Sequence, residues 1–157
     1  MTLKEELELE KSKLESQIHA LELEKSDICK RLKVIREREQ ELNVSKLLDI
    51  MQSETGPKYF VRFNENGSEE IATPLNIDGN WIDIYINRLR EDDDTVYFTS
   101  YKERITVNAF YRMYYIDNAL TKEQYDKYID TFISCAMINF YQDNIFEKAT
   151  GRKYKEN

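Results

Sequence analysis

The first third of the chain carries a large aliphatic residue at every seventh position, and this repeat predicts a long helix. Seven-residue spacing keeps one stripe of an α-helix facing a neighbouring helix, which is the pattern of a coiled coil. Helical apolar spacing continues to Met51, and Gly56 and Pro57 then provide a stop signal. We therefore predict a coiled-coil helix over residues 1–53. The repeat is unbroken at six positions, Leu7, Leu14, Leu21, Ile28, Ile35 and Leu42.

The second column of the same stripe is mostly charged, which limits how stable the predicted pairing is. When the aliphatic ladder occupies heptad position d, position a holds Lys4, Lys11, Ile18, Lys25, Leu32 and Glu39. Polar a residues weaken a coiled coil and restrict its register and its choice of partner. The predicted dimerisation residues are the aliphatic members of both columns: Leu7, Leu14, Ile18, Leu21, Ile28, Leu32, Ile35 and Leu42.

Charges beside the stripe favour an antiparallel homodimer. The flanking e and g positions are acidic in the first half of the helix, as at Glu10 and Glu15, and basic in the second half, as at Arg31 and Arg36. A parallel pair would set like charges against each other, whereas an antiparallel pair brings the acidic half toward the basic half. Glutamates near the centre would still meet their own copies. A parallel dimer and a coiled coil with a different protein therefore stay open.

After residue 57 the apolar spacing changes from helical to alternating, which predicts β-strands. Asn66-Gly67 and Asp78-Gly79 are tight-turn signals. The segment 81–87 alternates isoleucines with Trp81, Asp83 and Tyr85, which is typical of a half-buried strand. Residues 95–101 and 105–107 have strand patterns as well, with a turn expected at 102–104.

Helical spacing returns in the last third of the chain. We predict a helix at about 109–118 capped by Asn108, and a second one that begins with a capping box at Thr121 and Gln124 and continues to Tyr141. The predicted fold class is α+β: the long helix, then an antiparallel sheet of about four strands packed with one or two C-terminal helices. The predicted domains are the helix at 1–53, an acidic body at 57–149 and a frayed polar tail at 150–157.

The distribution of charge favours a basic protein as the partner of the body. The chain has a net charge of -7, with -4 in residues 1–24, +3 in residues 25–46 and -6 in the remainder. An acidic body disfavours nonspecific contact with nucleic acid. The chain contains no apolar run long enough to span a membrane, and its charged N-terminus is unlike a secretory signal. We therefore expect a cytoplasmic protein that does not bind membranes.

The sequence predicts no catalytic site, cofactor or metal. His19 is the single histidine, and Cys29 and Cys135 have no regular metal or disulfide spacing. The four glycines form no phosphate-binding loop. Two alternatives stay open. A metal-dependent enzyme would need five aspartates to converge, Asp78, Asp83, Asp92, Asp93 and Asp94. A direct nucleic-acid binder would use the basic part of the helix, Lys30, Arg31, Lys33, Arg36 and Arg38.

Aromatic and acidic residues of the body supply the predicted binding surface. Tyrosine is amphipathic and favoured at binding surfaces, although a small core built from aromatics would also explain the eleven tyrosines. The predicted aromatic patch consists of Trp81, Tyr85, Tyr97 and Tyr101, on the outer faces of adjacent strands. The predicted acidic residues that accompany it are Glu69, Glu70, Asp92, Asp93 and Asp94.

In its short length, acidic surface, abundant tyrosine and asparagine, and coiled coil fused to a small α+β body, the chain resembles small phage or mobile-element proteins. Inhibitors of CRISPR effectors are among them. The resemblance is one of style over the whole chain and transfers no functional residues. It implies a non-enzymatic inhibitor that engages a nucleic-acid-handling protein by covering its basic channel.

Overall fold

The structure, a computed structural model, describes residues 2–92, 95–136 and 142–156. Its first element, α1 (Leu3–Gln52), confirms the predicted long helix. A capping box starts α1, because the Thr2 N–H donates to Glu5 Oε2 at 2.7 Å and the Glu5 N–H donates to Thr2 Oγ1 at 3.4 Å. The chain divides into two units, Met1–Glu41 and Leu42–Asn157, so α1 begins in the first unit and ends in the second.

The second unit is built on a five-stranded antiparallel sheet. The strands are β1 (Tyr59–Phe63), β2 (Glu69–Asp78), β3 (Trp81–Asp92), β4 (Thr95–Thr106) and the short β5 (Ala119–Leu120), in the spatial order β4-β3-β2-β1-β5. Both predicted turns are confirmed. Gly67 and Gly79 adopt φ angles of 80° and 57°, which a glycine accepts without strain. The α+β fold class is therefore confirmed, with one more strand than the four that the sequence indicated.

Helices cover both faces of this sheet. The helices are α2 (Val107–Met113), α3 (Lys122–Ala136) and α4 (Gln142–Thr150), and a short 3₁₀ helix spans Ile116–Asn118. On one face, the isoleucines of β3 pack with Leu47 of α1 and with Phe110 and Tyr114 on and just after α2. On the other face, Ile71 and Leu89 form a second core cluster with α3 and α4. Residues on either side of a strand can therefore be buried.

The connection from β4 to α2 differs from its prediction. Residues 102–104 form no turn, because Arg104 stays in the strand and donates to the Asp83 carboxylate at 2.6 and 2.9 Å across the β3–β4 pair. The predicted cap at Asn108 is also wrong. Thr106 caps α2 by accepting a hydrogen bond from the Ala109 N–H at 3.1 Å. Asn108 instead accepts one from Asn43 Nδ2 of α1 at 3.2 Å.

The start of α3 confirms the predicted capping box. The Thr121 N–H donates to Gln124 Oε1 at 3.1 Å, and the Gln124 N–H donates to Thr121 Oγ1 at 3.3 Å. The predicted continuous helix to Tyr141 includes residues 137–141, which lie outside the described residues. α4 follows from residue 142.

The prediction of a frayed tail is wrong for the described residues after α4. The Tyr154 ring stacks on Phe63 with the ring centroids 4.1 Å apart. Arg152 donates to the carbonyl oxygens of Asp117 and Ala119 at 3.0 and 2.8 Å. The tail is thereby tied to the β1–β5 side of the sheet.

Candidate functional site

The aliphatic ladder of α1 is open to solvent along its whole length. Its eight predicted dimerisation residues range from 45% exposed at Leu32 to 63% at Leu21. Leu47 is the buried residue of α1, and it lies beyond the ladder. An isolated helix with a half-exposed aliphatic stripe gains stability when another apolar surface covers that stripe. Pairing of two such helices stays a prediction.

The predicted aromatic patch does not form, because the strand register places its members on opposite faces of the sheet. In β3, Trp81 and Tyr85 share one face. In β4, Tyr97 and Tyr101 pair with Arg90 and Ile86, whose side chains point to the other face. Directly opposed residues of an antiparallel pair share a face, so the four aromatics cannot make one surface. The prediction of a single patch is wrong.

Glu69, predicted to lie in the acidic binding surface, is instead completely buried. It faces α3, where the Tyr128 hydroxyl donates a hydrogen bond to its carboxylate. Burial together with this carboxylate raises the pKa of Tyr128 well above its usual range. Because α3 and α4 cover this face, a side chain at the start of β2 cannot reach a partner.

Glu70 is also buried, on the opposite face, at the centre of a polar network. Its Oε1 accepts hydrogen bonds from Arg88 Nε at 3.0 Å and Nη2 at 2.5 Å. Its Oε2 accepts one from the Tyr114 hydroxyl at 3.3 Å and lies 3.9 Å from Arg62 Nη1. Arg88 Nη2 also donates to the Tyr101 hydroxyl at 2.8 Å. Glu70 therefore organises a site from within and is not an exposed acidic contact.

A cleft of about 930 Å³ opens above this network. Arg62, Arg88 and Tyr101 line it together with the buried Glu70, and the stacked Phe63 and Tyr154 contribute aromatic lining. Three exposed glutamates line it as well, Glu65, Glu103 and Glu156. The lining thus combines two guanidinium groups with four carboxylates, and its net charge is negative.

Tyrosine hydroxyls beside the network are held in their neutral form. Burial, followed by the Glu70 charge, raises the pKa of both Tyr101 and Tyr114. The pKa of Arg88 is also raised, chiefly through its hydrogen bond to Glu70. The tyrosines can therefore serve as hydrogen-bond donors over the whole physiological range, while the guanidinium group of Arg88 stays charged.

The partners of Glu70 that the sequence prediction missed are Arg62, Arg88 and Tyr114. Arg62 and Arg88 are the cross-strand neighbours of Glu70 in β1 and β3. The Asn66-Gly67 signal predicts the hairpin but not this pairing, because a two-residue turn there would set Arg62 opposite Ile71, whereas the observed register sets it opposite Glu70. Tyr114 follows α2, and no local pattern links it to Glu70.

Among the described residues, the basic segment of α1 has acidic neighbours, and Asp78 and Asp83 pair with an arginine. On α1, Arg31 lies 3.7 Å from Asp27 and Lys33 lies 4.0 Å from Glu37, so acidic neighbours partly neutralise the segment. Asp78 and Asp83 both contact Arg104. Within the described residues no group of three or more His, Cys, Asp or Glu side chains comes close enough to hold a metal ion. Asp92 ends β3, and Asp93 and Asp94 lie outside the described residues.

In the part of the chain that the structure describes, no helix is both long enough and apolar enough to cross a membrane. No family model, curated protein or solved structure matches this chain.

Proposed function

We propose that this protein is a non-enzymatic binding protein that dimerises through α1 and engages a basic protein through its acidic body. The exposed ladder of α1 is the observation that carries the proposal. Each aliphatic side chain that passes from half-exposed to buried stabilises the associated state by on the order of 1 kcal/mol of free energy. Eight such residues on one stripe are sufficient to drive association despite the charged a column.

Charge complementarity favours an antiparallel pair of α1 helices. In the register that places Lys11 opposite Ile35 and Leu14 opposite Leu32, Arg36 and Arg38 of one copy approach the acidic first turns of the other. Neither arginine forms an ion pair within the described part of its own chain. Each exposed pair adds only a few tenths of a kcal/mol, so these charges select a direction more than they provide affinity.

Replacing Leu14 with glutamate is expected to abolish association through α1. In the antiparallel register Leu14 packs against Leu32 of the other copy, so the substitution places a carboxylate in an apolar layer. Leu9→Glu is the matched control, because Leu9 is 49% exposed and Leu14 is 52% exposed, but Leu9 lies on the opposite side of the helix. Sedimentation equilibrium measures the mass of both variants. Equal masses for the two variants would contradict the proposal.

The direction of the pair can be measured with two further positions. The antiparallel register sets Leu21 opposite Lys25, so Leu21→Glu should weaken the dimer far less than Leu14→Glu. A parallel pair would set Leu21 against its own copy and make both substitutions equally harmful. The antiparallel register also separates the two copies of Cys29, which is exposed, by about 12 residues or about 18 Å. Efficient Cys29 disulfide formation under mild oxidation would therefore show a parallel pair.

The glutamates at the cleft are the proposed contacts for the basic partner. Glu65, Glu103 and Glu156 are exposed and line the same cleft as Tyr101, and they replace the buried Glu69 and Glu70 in this role. The resemblance to phage-type inhibitors makes a nucleic-acid-handling protein the expected class of partner. Such a protein has a phosphate-binding surface that carboxylates can occupy.

Affinity capture from the native host, followed by mass spectrometry, tests this contact. We expect a basic protein to be recovered in a fixed ratio and to be lost with the triple variant Glu65→Gln, Glu103→Gln and Glu156→Gln. A control variant in which three exposed glutamates of α1 are replaced with glutamine should still bind the partner. Recovery of nucleic acid alone, and its loss when Lys30, Arg31 and Lys33 are neutralised, would favour the nucleic-acid alternative.

A further inference from the structure

The outer edge of β4 is a second surface suited to association. β4 is a terminal strand in the sheet order, and within residues 2–92, 95–136 and 142–156 no strand pairs with its outer side. The backbone N–H and C=O groups along that side are a template for one more strand. The chemistry of the edge therefore specifies an extended strand as its occupant.

The first seven residues of β4 lack the features that usually protect a sheet edge. Natural edge strands carry charged side chains, proline or a bulge. Residues 95–101 contain no charged residue and no proline, and β4 pairs with β3 without a register shift. Charge begins only at Lys102. Tyr97 and Phe98 are 51% and 50% exposed, so the unprotected segment also offers aromatic surface.

We propose that two copies of the chain pair antiparallel along residues 95–101, with the two-fold axis at Phe98. The segment is self-complementary in this register, as an isologous interface requires. Opposed residues share a face, and the two tyrosines meet threonines while Phe98 meets a second phenylalanine; both kinds of pair are favourable cross-strand neighbours. The opposed pairs are Thr95 with Tyr101, Val96 with Ser100, Tyr97 with Thr99, and Phe98 with its own copy.

Charge selects this register over its neighbours. Moving the axis one residue toward the C-terminus would place Val96 opposite Lys102. Moving it one residue the other way would pair Tyr101 with an aspartate that precedes the strand. Only the axis at Phe98 pairs all seven uncharged residues with one another. A second copy of the chain therefore fits this edge without burying an unpaired charge.

The β4 edge lies in the second unit and shares no residue with the α1 ladder. A chain with two separate isologous interfaces forms assemblies larger than a dimer. Pairing at β4 therefore goes beyond the proposed function. Its test does not depend on whether the α1 helices pair. In a chain whose ladder is disrupted by Leu14→Glu, the remaining association should be a dimer held by β4.

A charge-swap experiment at Phe98 tests this interface in the Leu14→Glu chain. Phe98→Lys and Phe98→Glu should each weaken dimerisation by about tenfold or more, because two like charges would face each other. Mixing the two variants should restore a mixed dimer, since the opposed charges would then be complementary. Sedimentation equilibrium reports the masses, and circular dichroism confirms that each variant is folded. Ile133→Lys on α3, with Ile133 44% exposed, is the matched control that should leave the dimer intact.

Hydrogen exchange gives a second measurement that needs no substitution in β4. Amide exchange of residues 95–101 in the Leu14→Glu chain should slow as the protein concentration rises, while exchange in α3 should not change. A Leu14→Glu chain that stays monomeric with constant exchange in β4 would overturn the proposal. So would a dimer that survives both substitutions of Phe98.

Discussion

The Glu70→Ala variant is expected to lose about 2–4 kcal/mol of unfolding free energy. The carboxylate is 4% exposed and accepts hydrogen bonds from Arg88 and Tyr114. Its removal leaves the Tyr114 hydroxyl buried without this acceptor and leaves two guanidinium groups facing each other. The loss falls toward the lower part of the range for a broken buried ion pair, because the side chains of Arg62 and Arg88 are 31% and 41% exposed and retain some water.

Urea unfolding followed by the emission of Trp81, the single tryptophan, measures this loss in the body. Glu65→Ala is the control, because Glu65 lies at the same cleft but is exposed, and its change should stay within about 0.5 kcal/mol. Glu70→Gln keeps an acceptor oxygen and should fall between the wild type and Glu70→Ala. Equal unfolding midpoints for Glu65→Ala and Glu70→Ala would show that the network does not stabilise the fold.

Local chemistry was sufficient to predict the elements whose ends are fixed by neighbouring residues. The capping box at Thr121 and Gln124 forms as the sequence indicates, and Gly67 and Gly79 occupy the tight turns. The long helix ends at Gln52, and just beyond that end the Gly56 N–H donates a hydrogen bond to Ser53 Oγ at 2.9 Å. Each of these features depends on contacts within about four residues, which a pattern can reveal.

The candidate site depends on a register that local patterns do not determine. Between Pro74 and Asn76 the β2–β3 pairing shifts by one residue at Leu75. Extending the Gly79 hairpin without that bulge would set Glu70 opposite Leu89, whereas the bulge sets it opposite Arg88. One extra residue therefore decides which face carries Glu70, and with it the existence of the network.

Burial of two successive glutamates is also a property of the whole fold. A strand with one solvent-exposed face buries every second residue, so a Glu-Glu pair suggests at least one exposed carboxylate. In this chain α3 covers the Glu69 side, and Tyr114, which follows α2, packs on the Glu70 side. The sequence signals for these helices are real, but the assignment of each helix to a face comes only from the long-range packing.

The Leu47→Ala variant is expected to destabilise the body by about 2–5 kcal/mol. Leu47 is completely buried and belongs to the core cluster that contains Phe110 and the isoleucines of β3. Alanine is the best helix former, so the substitution does not weaken α1 and the loss reports packing alone. Leu48→Ala is the matched control, because Leu48 is adjacent and 40% exposed, and its change should stay below about 1 kcal/mol.

Urea unfolding followed by Trp81 emission measures both variants, while sedimentation equilibrium should show that dimerisation through the α1 ladder is unchanged at concentrations where the body is folded. If the two leucines proved equally tolerant of replacement, the end of α1 would contribute nothing to the core.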